Sequence, residues 1–244
     1  MFSNKHPFLT AFSLALGSAI ALGLARFSYG LLLPVMKEDL DWSYLVAGAM
    51  NTANALGYFI GALTSPMLMR RMSVHRFFIS ASVVTGIFLY LSGCTDNTSL
   101  LFVLRVIAGI ASAWIFVAGG VLVSQLGSIH ANRSGLLLGI YYGGPGLGIF
   151  ISTLAVPFFN GWGMSAQLEH SWQLAWYALG ALCIVLTLVL VKPIASIPAI
   201  PPKPMGHSGT PLRTYMPVLA AYFMFGVGYI GYMTFVIALL KQLG

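Results

Sequence analysis

Charged residues are scarce in this sequence, and acidic residues are the scarcest of all. Of the 244 residues, 7% are charged, with 12 Lys plus Arg and only 5 Asp plus Glu. A soluble domain carries about 25% charged residues, so a soluble fold is excluded. Because 58% of the residues are hydrophobic, the composition indicates a polytopic membrane protein whose first partner is the lipid bilayer.

Other absences narrow the function classes. The formal charge is +7, but the basic residues are spread over short loops, so nucleic acid is not an expected partner. Cys94 and Cys183 lie in different apolar segments without CxxC or histidine spacing, which indicates no metal site and no disulfide framework. With no paired carboxylates and no Ser/His/Asp set, the sequence predicts neither an enzyme nor a cofactor.

Seven apolar runs have the length needed to cross a hydrocarbon layer of about 30 Å as helices. The predicted spans are 8–34, 44–69, 77–94, 100–125, 136–159, 172–191 and 218–240. The proline-rich composition of 192–217 is typical of a solvated linker. The sequence therefore predicts an all-α polytopic membrane helical bundle: a six-helix bundle over 1–191, a cytoplasmic linker over 192–217, and one further helix over 218–244.

Basic residues in the loops predict the orientation. With the N-terminus inside, the outer loops hold only Lys37 and Lys241. The cytoplasmic segments hold the other eight loop residues of this kind, which are Lys5, Arg70, Arg71, Arg76, Arg133, Lys192, Lys203 and Arg213. This positive-inside bias predicts a multi-pass protein of the inner membrane with a cytoplasmic N-terminus.

The chain also resembles itself. Residues 56–66 of the second span match residues 147–157 of the fifth at six of eleven positions, with an offset of 91. The same offset carries the first span onto the fourth and the third onto the sixth. Because three spans separate the copies, the copies must have opposite orientations. An inverted three-plus-three repeat is typical of secondary transporters, whose sites form near the membrane midplane.

Two arginines, Arg26 and Arg105, lie inside predicted spans that contain no Asp or Glu. A central Arg costs roughly 2.5 to 3.5 kcal/mol on insertion scales, so each is a functional candidate. Helix rise places both roughly 8 to 12 Å below the outer surface. One interpretation is a positive cavity for an anionic solute, since Arg offers a planar fork of donors. The alternative is that each snorkels outward or bonds helix carbonyls. For Arg105 a structural or coupling role is favoured over solute contact.

Polar residues recur at helical spacing on two other spans. Asn51, Asn54 and Tyr58 share one face of the second, and Tyr222, Tyr229 and Tyr232 lie near one face of the seventh. Such stripes line an aqueous cavity, or they supply interhelical hydrogen bonds worth about 0.6 kcal/mol each. The candidate substrate-cavity residues are Arg26, Tyr29, Asn51, Asn54, Arg105, Tyr141 and Tyr229.

The fifth span is rich in glycine around one proline. Gly143, Gly144 and Gly148 are expected to allow close helix approach, and Pro145 removes one backbone hydrogen bond and permits a bend. A phosphate-cradling loop is excluded because the Lys-Ser/Thr ending is missing. The pattern predicts a flexible packing helix that tilts during transport.

Several motifs resemble the major facilitator superfamily. Arg105-x-x-x-Gly109-x-x-x-Ala113 is similar to its fourth-helix motif, and Gly144-Pro145-x-x-Gly148 to its fifth-helix antiporter motif. The loop Arg70–Arg76 keeps the basic character of its cytoplasmic gate motif, although the usual acid is missing. Two further segments resemble the YbfB-like group of bacterial members of this superfamily: residues 26–30, Arg-Phe-x-Tyr-Gly, and residues 225–229, Phe-Gly-x-Gly-Tyr.

The resemblance implies a secondary transporter of a small solute that works by alternating access, as an efflux or proton-coupled system. It associates Arg105 with proton coupling, and the implied coupling or gating residues are Arg105, Arg71, Arg76, Gly144, Pro145 and Gly148. The superfamily fold has twelve helices in two halves, so we expect this chain to be a truncated form that is inactive alone. The alternatives are a seven-helix receptor, whose N-terminus lies outside, and a membrane scaffold without transport.

Overall fold

The computed structural model describes residues 6–198 and 212–243. All regular structure in these ranges is helical, as the sequence predicts. The long helices are α1 (Pro7–Asp39), α2 (Tyr44–Met69), α3 (Val74–Ser92), α4 (Thr98–Ile129), α5 (Ser134–Ser165), α6 (Ser171–Ala195) and α7 (Met216–Leu243). Short 3-10 turns cover Ala131–Arg133 and Leu212–Thr214.

Helices α1 to α6 belong to one compact unit, Met1–Ala199, and α7 belongs to a second, Ile200–Gly244. The linker predicted over 192–217 is too long at both ends, because α6 continues to Ala195 and α7 begins at Met216. The interior of that linker, 199–211, lies outside the described residues. The division into a six-helix bundle, a linker and a further helix stays a prediction.

Five helices in the described part of the chain are long and apolar enough to cross a membrane, namely α1, α3, α4, α5 and α6. Helix α2 has sufficient length, but its polar residues, among them Asn51 and Asn54, lower its mean hydropathy. Among the residues of α7 that the structure describes with their side chains, the apolar stretch is Met216–Gly228. The prediction of seven spans is therefore confirmed by this standard for five helices, and α2 falls below it.

Three of the helices begin at a side-chain cap that the sequence supplies. Ser43, Ser73 and Asn97 each accept a hydrogen bond from the backbone N–H three residues later, at the starts of α2, α3 and α4. Such caps satisfy backbone donors that helix geometry leaves unpaired. Ser73 thus has a structural role in the loop between α2 and α3.

Glycines bring α2 and α4 into backbone contact. A Cβ atom added to Gly57 would overlap the carbonyl oxygen of Val106, and one added to Gly61 would overlap that of Ile110. The two glycines are four residues apart, and so are the two carbonyls they meet. This is the small-residue spacing that lets membrane helices approach closely.

The same device recurs between α5 and α1. A Cβ on Gly144 would overlap the carbonyl oxygen of Ala15, and one on Gly148 would lie against that of Ala19. The second and fifth helices therefore each use a glycine pair to dock on the fourth and first, respectively. An inverted repeat relates α2 to α5 and α1 to α4, so a contact between α2 and α4 should have a counterpart between α5 and α1. The two glycine contacts therefore support the three-plus-three arrangement.

Helix α1 is π-helical in its middle, over Ala19–Phe27, with ordinary α-helix on both sides. Three successive carbonyls of this segment accept hydrogen bonds from side chains: Gly23 from Ser152, Leu24 from Ser28, and Ala25 from Arg105. A π turn is rare and occurs mostly at functional sites. Two of these donors come from α5 and α4, so the wider turn depends on tertiary contacts.

A polar cluster around Asp39, the last residue of α1, joins the helices at one end of the bundle. Its Oδ2 accepts a hydrogen bond from Trp172 Nε1 at 2.6 Å, and His170 Nδ1 lies 2.6 Å from the same oxygen. His170 Nε2 lies 3.8 Å from Asp96 Oδ2 in the loop between α3 and α4. The cluster therefore connects three loops on the side of the bundle that carries the acids.

We expect Asp39→Ala to lower the thermal unfolding midpoint by about 2 to 6 °C. The change leaves the buried Trp172 indole N–H without its acceptor, which costs about 1 to 3 kcal/mol. Intrinsic fluorescence of the purified chain during heating measures the shift. Glu38→Ala removes the exposed neighbouring acid and is the matched control, which should leave the midpoint unchanged. Equal shifts in the two variants would contradict a stabilising role for the cluster.

A buried arginine and a half-buried arginine

Arg105 lies inside the bundle, with 2% of its surface exposed. It belongs to the second turn of α4, and its side chain reaches across to α1. Its Nη1 donates a hydrogen bond to the carbonyl oxygen of Ala25 at 3.1 Å, next to Arg26 in the chain. The two arginines therefore lie at a similar level of the bundle, in agreement with the common depth predicted from the sequence.

Two aromatic rings cover the Arg105 guanidinium. Its Cζ atom lies 4.8 Å from the ring centroid of Tyr29 on α1 and 5.3 Å from that of Trp176 on α6. Rings within about 6 Å attract a cation through their quadrupole, and the attraction grows as water is removed. Tyr29 is itself fixed, because its hydroxyl donates to the carbonyl oxygen of Ala47 at 2.8 Å. Aromatic faces take the place of a carboxylate partner here.

Asn54 joins α2 to this buried centre. It is fully buried, and its Nδ2 donates to the carbonyl oxygen of Arg105 at 3.1 Å. The approach is possible because Gly109, one turn after Arg105, lies directly against the Asn54 backbone. Asn54 thus fills the interhelical hydrogen-bonding role that the sequence left open as an alternative to lining a cavity.

Arg26 is in a different environment. It is half-buried, and its Cζ lies 5.6 Å from the ring centroid of Tyr58 on α2. No carboxylate in the described ranges forms an ion pair with it. The Arg26 guanidinium is therefore partly exposed, whereas that of Arg105 is buried and lies near two aromatic rings.

Aromatic side chains form the surface beside Arg26. We call Tyr58, Phe116, Tyr141 and Tyr142 the aromatic face. Tyr142 is 54% exposed, and its ring lies 5.1 Å from that of Tyr141 and 5.8 Å from that of Phe116. Tyr58 lies near both tyrosines. The face is assembled from α2, α4 and α5, and the Tyr141 hydroxyl anchors it by donating to the Phe116 carbonyl at 2.7 Å.

The other candidate residues lie in three different settings. Asn51 is half-buried on α2, Tyr141 is buried within the aromatic face, and the side chain of Tyr229 lies outside what the structure describes. Arg71 and Arg76 are exposed in and just after the α2–α3 loop, far along the chain from the buried centre. Nothing in the described contacts brings these two arginines to the site.

Helix α5 presents two glycine stripes. Gly144 and Gly148 are buried against α1, whereas Gly139, Gly143 and Gly146 have no heavy atom near the position of an added Cβ. Pro145 lies inside α5 without ending it. The helix is therefore closely packed on one side and open on the other; its predicted tilting stays a prediction.

Sequence analysis missed Trp176 as a partner of Arg105 and left Tyr142 out of the candidate cavity. Trp176 lies 71 positions after Arg105, in an apolar span where a tryptophan carries no obvious signal. Tyr142 follows Tyr141 directly, and its exposure depends on how α5 rotates against α1. Only the packed helices bring these residues together.

Apolar helices of membrane length, packed around a cation, define a class: polytopic membrane proteins of the secondary-transporter type. A comparison with family sequence profiles identifies the family: the one described as "Uncharacterised MFS-type transporter YbfB" matches residues 18–244. The chain belongs to this family of the major facilitator superfamily. The resemblance drawn from the motifs is confirmed, and a multi-pass membrane transporter is favoured over a seven-helix receptor or a scaffold.

Proposed function

We propose that the chain takes part in secondary active transport of a small anionic solute by alternating access, as an efflux or proton-coupled system. The observation that carries the proposal is Arg26, a half-buried cation beside the aromatic face that has no ion-paired acid within residues 6–198 and 212–243. A guanidinium in that position offers planar donors suited to carboxylate or phosphate. The aromatic face supplies apolar surface for the rest of the solute.

Arg105 has a different role in this proposal. Its charge is covered by Tyr29 and Trp176 and bonded to the π-helical segment of α1, so solute does not reach it directly. We assign it to coupling, because a change in its bond to Ala25 would act on the same helix that carries Arg26. The glycine contacts at Gly144 and Gly148 would then serve as the surface on which α1 and α5 move.

The proposed orientation places the N-terminus in the cytoplasm of a cell with an inner membrane. It is supported by the arginines at the α2–α3 and α4–α5 loops, which lie at the opposite end of the bundle from Asp39 and Asp96. The solute approaches Arg26 from a level nearer the acidic, outer end. A reporter fused to the N-terminus tests the assignment.

The anionic solute is tested by binding to the purified chain in lipid nanodiscs. Phthalate and glycerol 3-phosphate are the probes, and phthalamide and glycerol are their uncharged counterparts. We expect calorimetry to detect at least one of the two anions and neither neutral compound. Arg26→Gln should weaken that binding by about tenfold or more, since it removes charge-assisted hydrogen bonds.

Arg133→Gln is the matched control. Arg133 is also an arginine over an aromatic ring, 5.3 Å from the centroid of Phe8, but it is exposed in the loop before α5. Its replacement should leave anion binding unchanged. Binding that is equal in the native chain and in Arg26→Gln, or equal for anion and neutral counterpart, would count against an anionic solute at Arg26.

A further inference from the structure

The buried centre around Arg105 holds more hydrogen-bond donors than acceptors. Arg105 Nε and Nη2 and Trp176 Nε1 are buried and have no hydrogen-bond partner among the described residues. On the acceptor side, Asn54 Oδ1 is the buried atom of this centre without a partner there. Buried polar atoms without partners cost free energy, so an excess of this kind requires an explanation.

The atoms belong to side chains that touch one another. Trp176 lies over the guanidinium at 5.3 Å, and Asn54 is bonded to the Arg105 backbone at 3.1 Å. The unpartnered donors therefore belong to two side chains that lie against each other, Arg105 on α4 and Trp176 on α6. A buried water bridges two to four polar groups and donates as many bonds as it accepts. Here the donors outnumber the acceptor, and the centre carries a net positive charge.

We propose that this centre binds one small inorganic anion of the size of chloride. Such an anion accepts from several N–H groups at once, which matches the donor excess, and it compensates the Arg105 charge. The tight cover by Tyr29 and Trp176 limits the occupant to a small ion. The site is separate from the solute surface at Arg26, so its existence does not depend on the proposed solute.

Thermal unfolding of the purified chain tests the proposal. Sodium chloride is compared with sodium gluconate at equal ionic strength, since gluconate is too large for the centre. We expect chloride to raise the midpoint by about 3 to 6 °C at ten times its Kd. In Arg105→Met the difference between the two salts should disappear, whereas Arg133→Gln should keep it.

Trp176→Phe provides a second variant that keeps an aromatic cover and removes one donor. The chloride concentration at half-maximal stabilisation should rise by about tenfold or more. Bromide gives an independent measurement, because a heavy halide in contact with Trp176 quenches its fluorescence. The quenching at low bromide should be seen in the native chain and be lost in Trp176→Phe, although four tryptophans remain of the five in the chain.

Two results would overturn the anion site. One is an equal chloride effect in the native chain and in Arg105→Met, which would show a general salt effect. The other is bromide quenching that is the same with and without Trp176. Neither measurement depends on whether phthalate or glycerol 3-phosphate binds at Arg26. A failure of the anion site can therefore be distinguished from a failure of the proposed function.

Discussion

Gly148→Ala is expected to lower the stability of the six-helix unit by about 2 to 3 kcal/mol. The added methyl group would meet the backbone of Ala19 and Gly23 on α1 at less than 3.0 Å. Backbone atoms cannot rotate away as a side chain does, so the two helices must separate, and overpacking of this kind costs up to about 3 kcal/mol. The unfolding midpoint of the purified chain should fall by about 4 to 12 °C.

Gly139→Ala is the matched control in the same helix. It makes the same chemical change at a position where no heavy atom lies near the added Cβ. Because alanine loses less backbone entropy than glycine in a helix, this variant should gain about 0.5 to 1 kcal/mol. Opposite signs in the two variants would confirm that α1–α5 packing, rather than glycine itself, determines the effect.

The inverted repeat extends this prediction to α2. Gly57 meets the Val106 backbone on α4 as Gly148 meets that of Ala19 on α1. Gly57→Ala should therefore lower the midpoint by a similar amount. A large loss at Gly148 with none at Gly57 would argue that the two helix pairs are not equivalent.

Much of this packing could be predicted from the sequence, because local composition is enough to predict membrane helices. Apolar runs predicted the spans, and the glycines of the fifth span predicted close contacts on α5. Composition could not predict which helix packs against Gly148, because a glycine allows the backbone of any neighbouring helix to approach. Its contact with Ala19 depends on how α1 and α5 come together across 129 positions of chain, the same separation that Ser152 bridges to Gly23.

The π-helical segment of α1 shows a different limit. Residues 19–27 have the composition of an ordinary apolar span with one charged residue, Arg26, and they contain no proline that would indicate a wider turn. The segment forms where Ser152 and Arg105 supply donors to Gly23 and Ala25. Side chains from two other helices therefore override the local helix propensity. A sequence pattern with a period near 3.6 predicts an α-helix and cannot predict the π-helical turn.

The two arginines share a predicted depth and an acid-free setting in the sequence, and their environments differ in the structure. Both are single cations in acid-free spans, and depth along the helix places them at the same level. Rotation about the helix axis separates them: Arg105 turns inward under Tyr29 and Trp176, and Arg26 remains half-exposed beside Tyr58. Hydropathy measures depth but not rotation, which packing determines.

Trp176→Leu is expected to be among the most destabilising single changes in α6, at about 3 to 5 kcal/mol. The indole is fully buried and covers the Arg105 charge. The variant leaves a cavity and strips the cation of one aromatic face, and both effects lower the free energy of unfolding. Arg105→Met, by contrast, removes the charge together with its desolvation cost. That variant should be as stable as the native chain or more stable, by up to about 3 kcal/mol.

The double variant separates the charge from the cavity. If Trp176 stabilises mainly by covering the cation, Trp176→Leu should cost about 1 to 2 kcal/mol less in the Arg105→Met background. Trp114→Leu is the control, because Trp114 lies on α4, contacts Phe77 and bonds Thr64, with no cation over its ring. Its cost should be the same in both backgrounds. Additive costs for Trp176 and Arg105 would mean that the indole packs without responding to the charge. Coupled costs would identify Arg105 as a group that lowers stability and is held in place for its charge, as expected of a functional residue inside a membrane.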